Sequence, residues 1–82
     1  MTVLRYWAGA RAAAGVGEEQ RGAPTLDRLL ADAVADHGPG LAKVLAVCSV
    51  IVDGNPVGGR PHASVDVSRA VLVDVLPPFA GG

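Results

Sequence analysis

Between residues 26 and 34 the apolar positions recur with a helical period. Leu26, Leu29, Leu30, Ala33 and Val34 fall at i, i+3, i+4, i+7 and i+8, which is one continuous stripe. Asp27, Arg28, Asp32 and Asp36 occupy the other side. The spacing predicts one amphipathic helix, with Thr25 as its N-cap and Gly38-Pro39 as its stop. Such a stripe must lie on something, and a sheet is the only large partner the remaining sequence offers.

Toward both ends the period falls to two. Thr2 to Ala8 reads as a strand, and Arg5 orients it: Val3, Arg5 and Trp7 share the wet face, while Leu4, Tyr6 and Ala8 face the core. Ala70 to Leu76 reads as the last strand. Asp74 there shares the wet face with Leu72 and Leu76, leaving Val71, Val73 and Val75 inward. Ser49 to Val52 is a third, buried strand, and Asp53-Gly54-Asn55 is a tight turn into a returning segment near Val57. Weaker signals place a strand near Glu18–Gly22, one helical turn at Arg11–Ala14 stopped by Gly15, and a short helix over Leu41–Ala46. Gly58 to Ser68 reads as loop. Strands at both chain ends with a helix between them predict an α+β domain. Its mixed sheet has the first and last strands parallel and central, with the main helix on one face. The folded part is expected to span residues 1–76, followed by a tail over 77–82.

Composition narrows the function more than the fold. The chain has 82 residues, enough for one domain with a small core, and half are hydrophobic. Net charge is −1 and the basic residues are scattered, so no electrostatic footprint for nucleic acid or an anionic membrane is expected. No apolar run reaches the roughly 18 residues of a membrane span. "MTVLRYW" lacks the layout of a signal peptide, so a cytoplasmic protein is expected. Cys48 is the only cysteine, which excludes an internal disulfide and points to a reduced, largely buried core thiol. His37 and His62 have no metal-ligand spacing; His37 is expected to serve its helix C-terminus, where a cation is favoured. Gly15-Val16-Gly17 lacks the spacing of a phosphate loop and reads as turn glycines. Asp32 and Asp36 read as a solvated face, and Ser49, Ser64 and Ser68 lack a nucleophile motif. The folded body therefore offers no catalytic constellation.

The chemistry points to the last residues, "LPPFAGG", Leu76 to Gly82. Pro77 and Pro78 have no backbone N–H, so a sheet ladder must stop there, and they stiffen the exit. The segment reaches roughly 20 Å when extended. Gly81 and Gly82 carry no Cβ and fit a channel too narrow for any other residue. The terminal carboxylate is ionised at neutral pH. A thin, carboxylate-tipped finger on a stiff stem suits delivery into another protein's active site.

This ending resembles the C-terminus of the ubiquitin-like sulfur carriers, with the small subunits of molybdopterin synthase the nearest pattern. "VLRYWAGARAAAG", "PTLDRLLADAV" and "VIVDGNPV" resemble that family's first strand and helical turn, main helix and middle hairpin. One departure is Ser68-Arg69-Ala70, which stands where the family often has a short acidic-glycine turn. The resemblance implies a β-grasp fold and a mechanism. A ubiquitin-activating-type adenylyltransferase, using ATP and Mg²⁺, would adenylate Gly82, and a sulfur donor protein would convert it to a thiocarboxylate. The tail would then enter the large synthase subunit, in a two-plus-two heterotetramer, and its sulfur would build the dithiolene of molybdopterin. On this reading Gly82 and Gly81 carry the chemistry, while Trp7, Leu76, Pro77, Pro78, Phe79 and Ala80 meet the partners. The chain binds no cofactor and no metal, and supplies sulfur without being an enzyme alone. The alternatives are a carrier for cysteine synthesis, thiamine thiazole or tRNA thiolation, or a ubiquitin-like protein modifier joined to lysines through Gly82.

Overall fold

A computed structural model describes residues 1–78. The chain runs β1 (Thr2–Tyr6), α1 (Ala8–Ala14), β2 (Glu18–Arg21), α2 (Leu26–His37), α3 (Pro39–Leu45), β3 (Ser49–Val52), β4 (Asn55–Pro56), a 3-10 turn (His62–Ser64) and β5 (Leu72–Leu76). One five-stranded sheet has the order β2-β1-β5-β3-β4. β1 and β5 pair in parallel, with Leu4 opposite Val73 and Arg5 opposite Asp74. The other pairings are antiparallel. The α2 stripe of Leu26, Leu29, Leu30 and Ala33 shares one buried core with Leu4, Tyr6, Val50, Val73 and Val75. A mixed sheet holding one main helix, its first and last strands parallel and adjacent, is the β-grasp fold, as expected. Among the described residues no helix is long and apolar enough to cross a membrane.

Several boundaries differ from the sequence reading, each for a local reason. β1 stops at Tyr6, and α1 already begins at Ala8 rather than near Arg11. Trp7 ends one element and starts the next. Its N–H donates to the Val75 carbonyl at 3.1 Å, while its own carbonyl accepts from Ala10 N at 3.0 Å. The sharp change of direction leaves Ala8 with a left-handed φ of 48°. α3 starts at Pro39, so the proline that stops α2 also opens the next helix, where its missing N–H costs nothing. β5 starts at Leu72, and Val71 is 71% exposed rather than in the core. The Asp53 carboxylate accepts from both Val71 N and Leu72 N at 2.9 Å and holds the chain in a bend until Leu72. In the β3–β4 hairpin, Asp53 (φ 48°) and Gly54 (φ 81°) take the paired left-handed conformations of a type I′ turn.

The segment read as loop contributes to the core. Val65 and Val67 are buried, and this stretch is fastened beside α2 by Leu26 N donating to Val65 O at 2.9 Å and Val67 N to Pro24 O at 3.1 Å. The Ser68-Arg69-Ala70 departure still closes as a turn. Ala70 N donates to Val67 O at 3.1 Å, and Asp66 accepts from Ser68 N and its hydroxyl at 2.8 and 2.6 Å. Thr2 Oγ1 donates to Ala70 O at 2.7 Å and ties that turn to β1.

Candidate docking site at the root of the tail

Because β1 and β5 run in parallel, their C-terminal ends lie side by side at one end of the sheet. Tyr6 opposes Val75, and the bond from Trp7 N to Val75 O carries the ladder one step further, setting Trp7 beside Leu76. On the other flank Ser49 opposes Leu76. Val47 and Cys48, the two residues before Ser49, turn into β3 at this same end of the sheet. Leu76 and Pro77 are half-buried and Pro78 is exposed. Phe79, Ala80, Gly81 and Gly82, expected to extend the surface and carry the chemistry, lie outside the described residues, and so does most of the tail over 77–82.

The two wet-face charges of the first and last strands meet across the parallel pair. Arg5 Nε donates to Asp74 Oδ1 at 2.7 Å, and a second guanidinium nitrogen lies 3.4 Å from Oδ2. Trp7 joins it: the indole Nε1 donates to the same Asp74 Oδ1 at 2.9 Å, and the Arg5 guanidinium sits 5.0 Å from the ring centroid. Burial alone would push the Asp74 carboxyl up; the bonds from Arg5 and Trp7 outweigh it and hold Asp74 below its ordinary range. Asp74 in turn raises the Arg5 guanidinium, chiefly through their hydrogen bond. Trp7 is thus pinned in orientation yet 44% exposed. A ring held in place while open to solvent is pre-organised for a partner, because little rotamer freedom remains to be lost on binding. Beside it a notch of about 380 Å³ is lined by Arg5, Tyr6, Trp7, Arg11, Gly17 and Glu18.

Val47 was missed. It is 63% exposed in the turn between α3 and β3, at the same end of the sheet as Trp7 and Leu76. The signal was present in the sequence, since a helix over Leu41–Ala46 and a strand from Ser49 already leave Val47 outside both elements. Cys48 is half-buried rather than buried. It stands on the rim of an apolar groove of about 470 Å³ between α2 and α3 that also includes Leu30, Val34, Leu45 and His62. Its Sγ donates to Val44 O at 3.1 Å, and burial pushes the thiol up.

His37 does not act at its helix terminus alone. Its Nε2 lies 2.7 Å from Glu19 Oε2, which also accepts from the Tyr6 hydroxyl at 2.6 Å. Arg21 bonds Glu19 Oε1 at 3.0 Å and Asp36 at 2.7 Å. Burial alone would raise Glu19; the bonds from Tyr6, Arg21 and His37 together hold it below its ordinary range. This network fastens edge strand β2 to β1 and to the end of α2. It faces the helix side of the sheet, away from Trp7. Asp36 is therefore paired, and Asp32 meets Arg28 one turn away at 3.4 Å. Among the described residues no three His, Cys, Asp or Glu converge as a metal site.

No protein-family model and no curated protein sequence matches this chain. Among solved structures, it is similar to the solution structure of small archaeal modifier protein 1 from Methanosarcina acetivorans. The TM-score is 0.82 at 18% identity, over 99% of this chain and 95% of that one. At that identity the likeness is one of fold. The strand order, the parallel β1–β5 pair and this match give one conclusion: the chain is a β-grasp domain of ubiquitin-like architecture.

Proposed function

We propose that this chain is a ubiquitin-like sulfur carrier, the sulfur-donating small subunit of a molybdopterin synthase. The observation that carries the reading is a pinned, exposed Trp7 standing beside Leu76, at the root of a sequence that ends in Pro-Pro-Phe-Ala-Gly-Gly. Supporting it are the β-grasp body and its likeness to a modifier protein.

The chemistry follows from the carboxylate. A carboxylate is a poor electrophile, so an adenylyltransferase with ATP and Mg²⁺ first converts Gly82 to an acyl-adenylate. Sulfur from a persulfide donor displaces AMP and leaves a thiocarboxylate, which is a nucleophile in the large subunit's active site. The chain's own residues position and protect. Gly81 and Gly82 let the backbone pass a narrow channel. Pro77 and Pro78 hold the finger away from the sheet. Trp7, Leu76, Phe79 and Ala80 meet the activating enzyme and the large subunit in turn, so the two partners compete. ATP and Mg²⁺ would be held by the activating enzyme.

Intact mass of the natively purified protein tests this reading: one oxygen replaced by sulfur at Gly82 is expected. Removing Gly82 is expected to leave the fold unchanged and to abolish ATP–pyrophosphate exchange by the activating enzyme. Normal sulfur transfer by that variant would overturn the proposal. The second reading, a protein modifier joined to lysines, is favoured by the name of the structural neighbour. Lysine conjugates through Gly82, without a thiocarboxylate, would select it.

A further inference from the structure

Packing alone does not fix the Trp7 ring. The residue is no part of the buried core, and the notch beside it leaves room for the indole to turn. Its orientation comes instead from polar contacts that close a triangle across the parallel strands. The triangle starts at Asp74, which β5 sets directly opposite Arg5 and whose side chain is only 14% exposed. Arg5 meets both carboxylate oxygens, Nε donating to Oδ1 at 2.7 Å and a second guanidinium nitrogen lying 3.4 Å from Oδ2, which fixes the carboxylate plane. Indole Nε1 then donates to Oδ1 at 2.9 Å. The guanidinium, 5.0 Å from the ring centroid, closes the third side. A hydrogen bond to an ionised acceptor is about twice as strong as a neutral one, so a shielded carboxylate competes well with water for the indole N–H.

Arg5 has a second acid at hand. Glu18 stands opposite it on β2, on the flank away from Asp74, and among the described residues the two form no ion pair. Asp74 therefore decides which way Arg5 leans. Without Asp74, Arg5 is free to turn toward Glu18, and the ring loses its acceptor and its cation together.

We propose that Asp74 is the positioning residue of this docking face: from β5, two residues before the tail root, its carboxylate sets the orientation of Trp7, and it acts on partner binding only through that ring. The strand that leads to the tail thus also presents the ring that a partner must meet. The consequence for binding rests on the reading that Trp7 meets the partners. The placement of the ring is testable on the protein alone.

Trp7 is the only tryptophan, so its fluorescence and its indole proton report on this ring and no other. Time-resolved fluorescence anisotropy and solvent exchange of the indole N–H are measured on the full chain. In the unaltered protein the ring should tumble with the whole domain and its N–H should be protected. Asp74→Ala should add a fast local rotation and remove that protection. Asp74→Asn, which keeps an acceptor oxygen, should restore the slow ring. Asp74→Val suits a strand but offers no acceptor, and it should match Asp74→Ala, which keeps the test decisive where the alanine variant does not fold. In calorimetric titrations with the large subunit and the activating enzyme, Asp74→Ala should weaken binding by about two- to tenfold, the cost of ordering one freed side chain. Added to Trp7→Ala, it should weaken binding no further. A ring equally immobile and equally protected without the acceptor would overturn the proposal. So would a loss of binding from Asp74→Ala that persists in the Trp7→Ala background. Absence of binding by the unaltered chain would count against the carrier reading alone, and the ring measurements would still decide the role of Asp74.

Discussion

Trp7 shows how much of a site one residue can hold. Its indole N–H and its ring face are both engaged, by Asp74 and Arg5, while nearly half the side chain stays in solvent. Trp7→Ala should therefore leave the unfolding midpoint almost unchanged and weaken both partner complexes by about 1–3 kcal/mol, the range of an interface aromatic. Calorimetric titration against each partner checks this; normal binding would make Trp7 a bystander. The next residue carries a cost of its own. A left-handed φ costs a non-glycine residue about 1–2 kcal/mol, whereas glycine loses about 0.5–1 kcal/mol in backbone entropy. At Ala8, with φ 48°, the first term is larger. Ala8→Gly should stabilise the domain by about 0.5–1 kcal/mol in denaturant unfolding. Alternation in the sequence placed Arg5 and Asp74 on one face, and the parallel pairing set them opposite each other. The indole bond to Asp74 was not readable, because which way a side chain turns depends on neighbours 67 positions away in the chain.

Elements differ in how far their own sequence determines them. α2 was legible because its stripe is internal to it, and the β3–β4 turn because Asp53-Gly54 supplies the required conformations locally. The stretch around Val65 and Val67 read as loop because its burial comes from bonds to Pro24 and Leu26, on a distant segment. β2 is the extreme case: a charged edge strand, Glu-Glu-Gln-Arg, held by side chains from β1 and α2. Its attachment depends on pH. Glu19 ionises more readily in the folded chain than in the unfolded one, so its contribution is complete above the unfolded glutamate value of about 4.3. It is lost as pH falls through the lower folded value. Acidification below about pH 4 should thus loosen β2 before the central β1–β5 pair. Amide exchange resolved by strand would show it, and Glu19→Gln should remove the acid sensitivity of β2 while leaving that of the Asp74 region. Equal loosening of all strands would place the acid sensitivity elsewhere.

At the scale of the molecule, stability and chemistry occupy different parts of the chain. The core is α2 laid on β1, β5 and β3, while the chemistry proposed for Gly82 lies past two prolines that cannot join the ladder. A domain of 82 residues is expected to have only about 4–12 kcal/mol of stability. Leu29, fully buried at the centre of the α2 stripe, makes the sharpest contrast. Leu29→Ala removes buried methyl groups and leaves a cavity, costing about 2–5 kcal/mol, a large share of that total. Its unfolding midpoint should drop markedly. Yet the fraction still folded should activate normally, since Leu29 lies in the buried core rather than on the docking face. Deleting Gly82 should do the opposite, with an unchanged midpoint and no activation. Measuring unfolding and pyrophosphate exchange on both variants separates the two roles. If the deletion lowered the midpoint as Leu29→Ala does, the tail would be part of the fold, and the picture of a finger independent of its scaffold would fail.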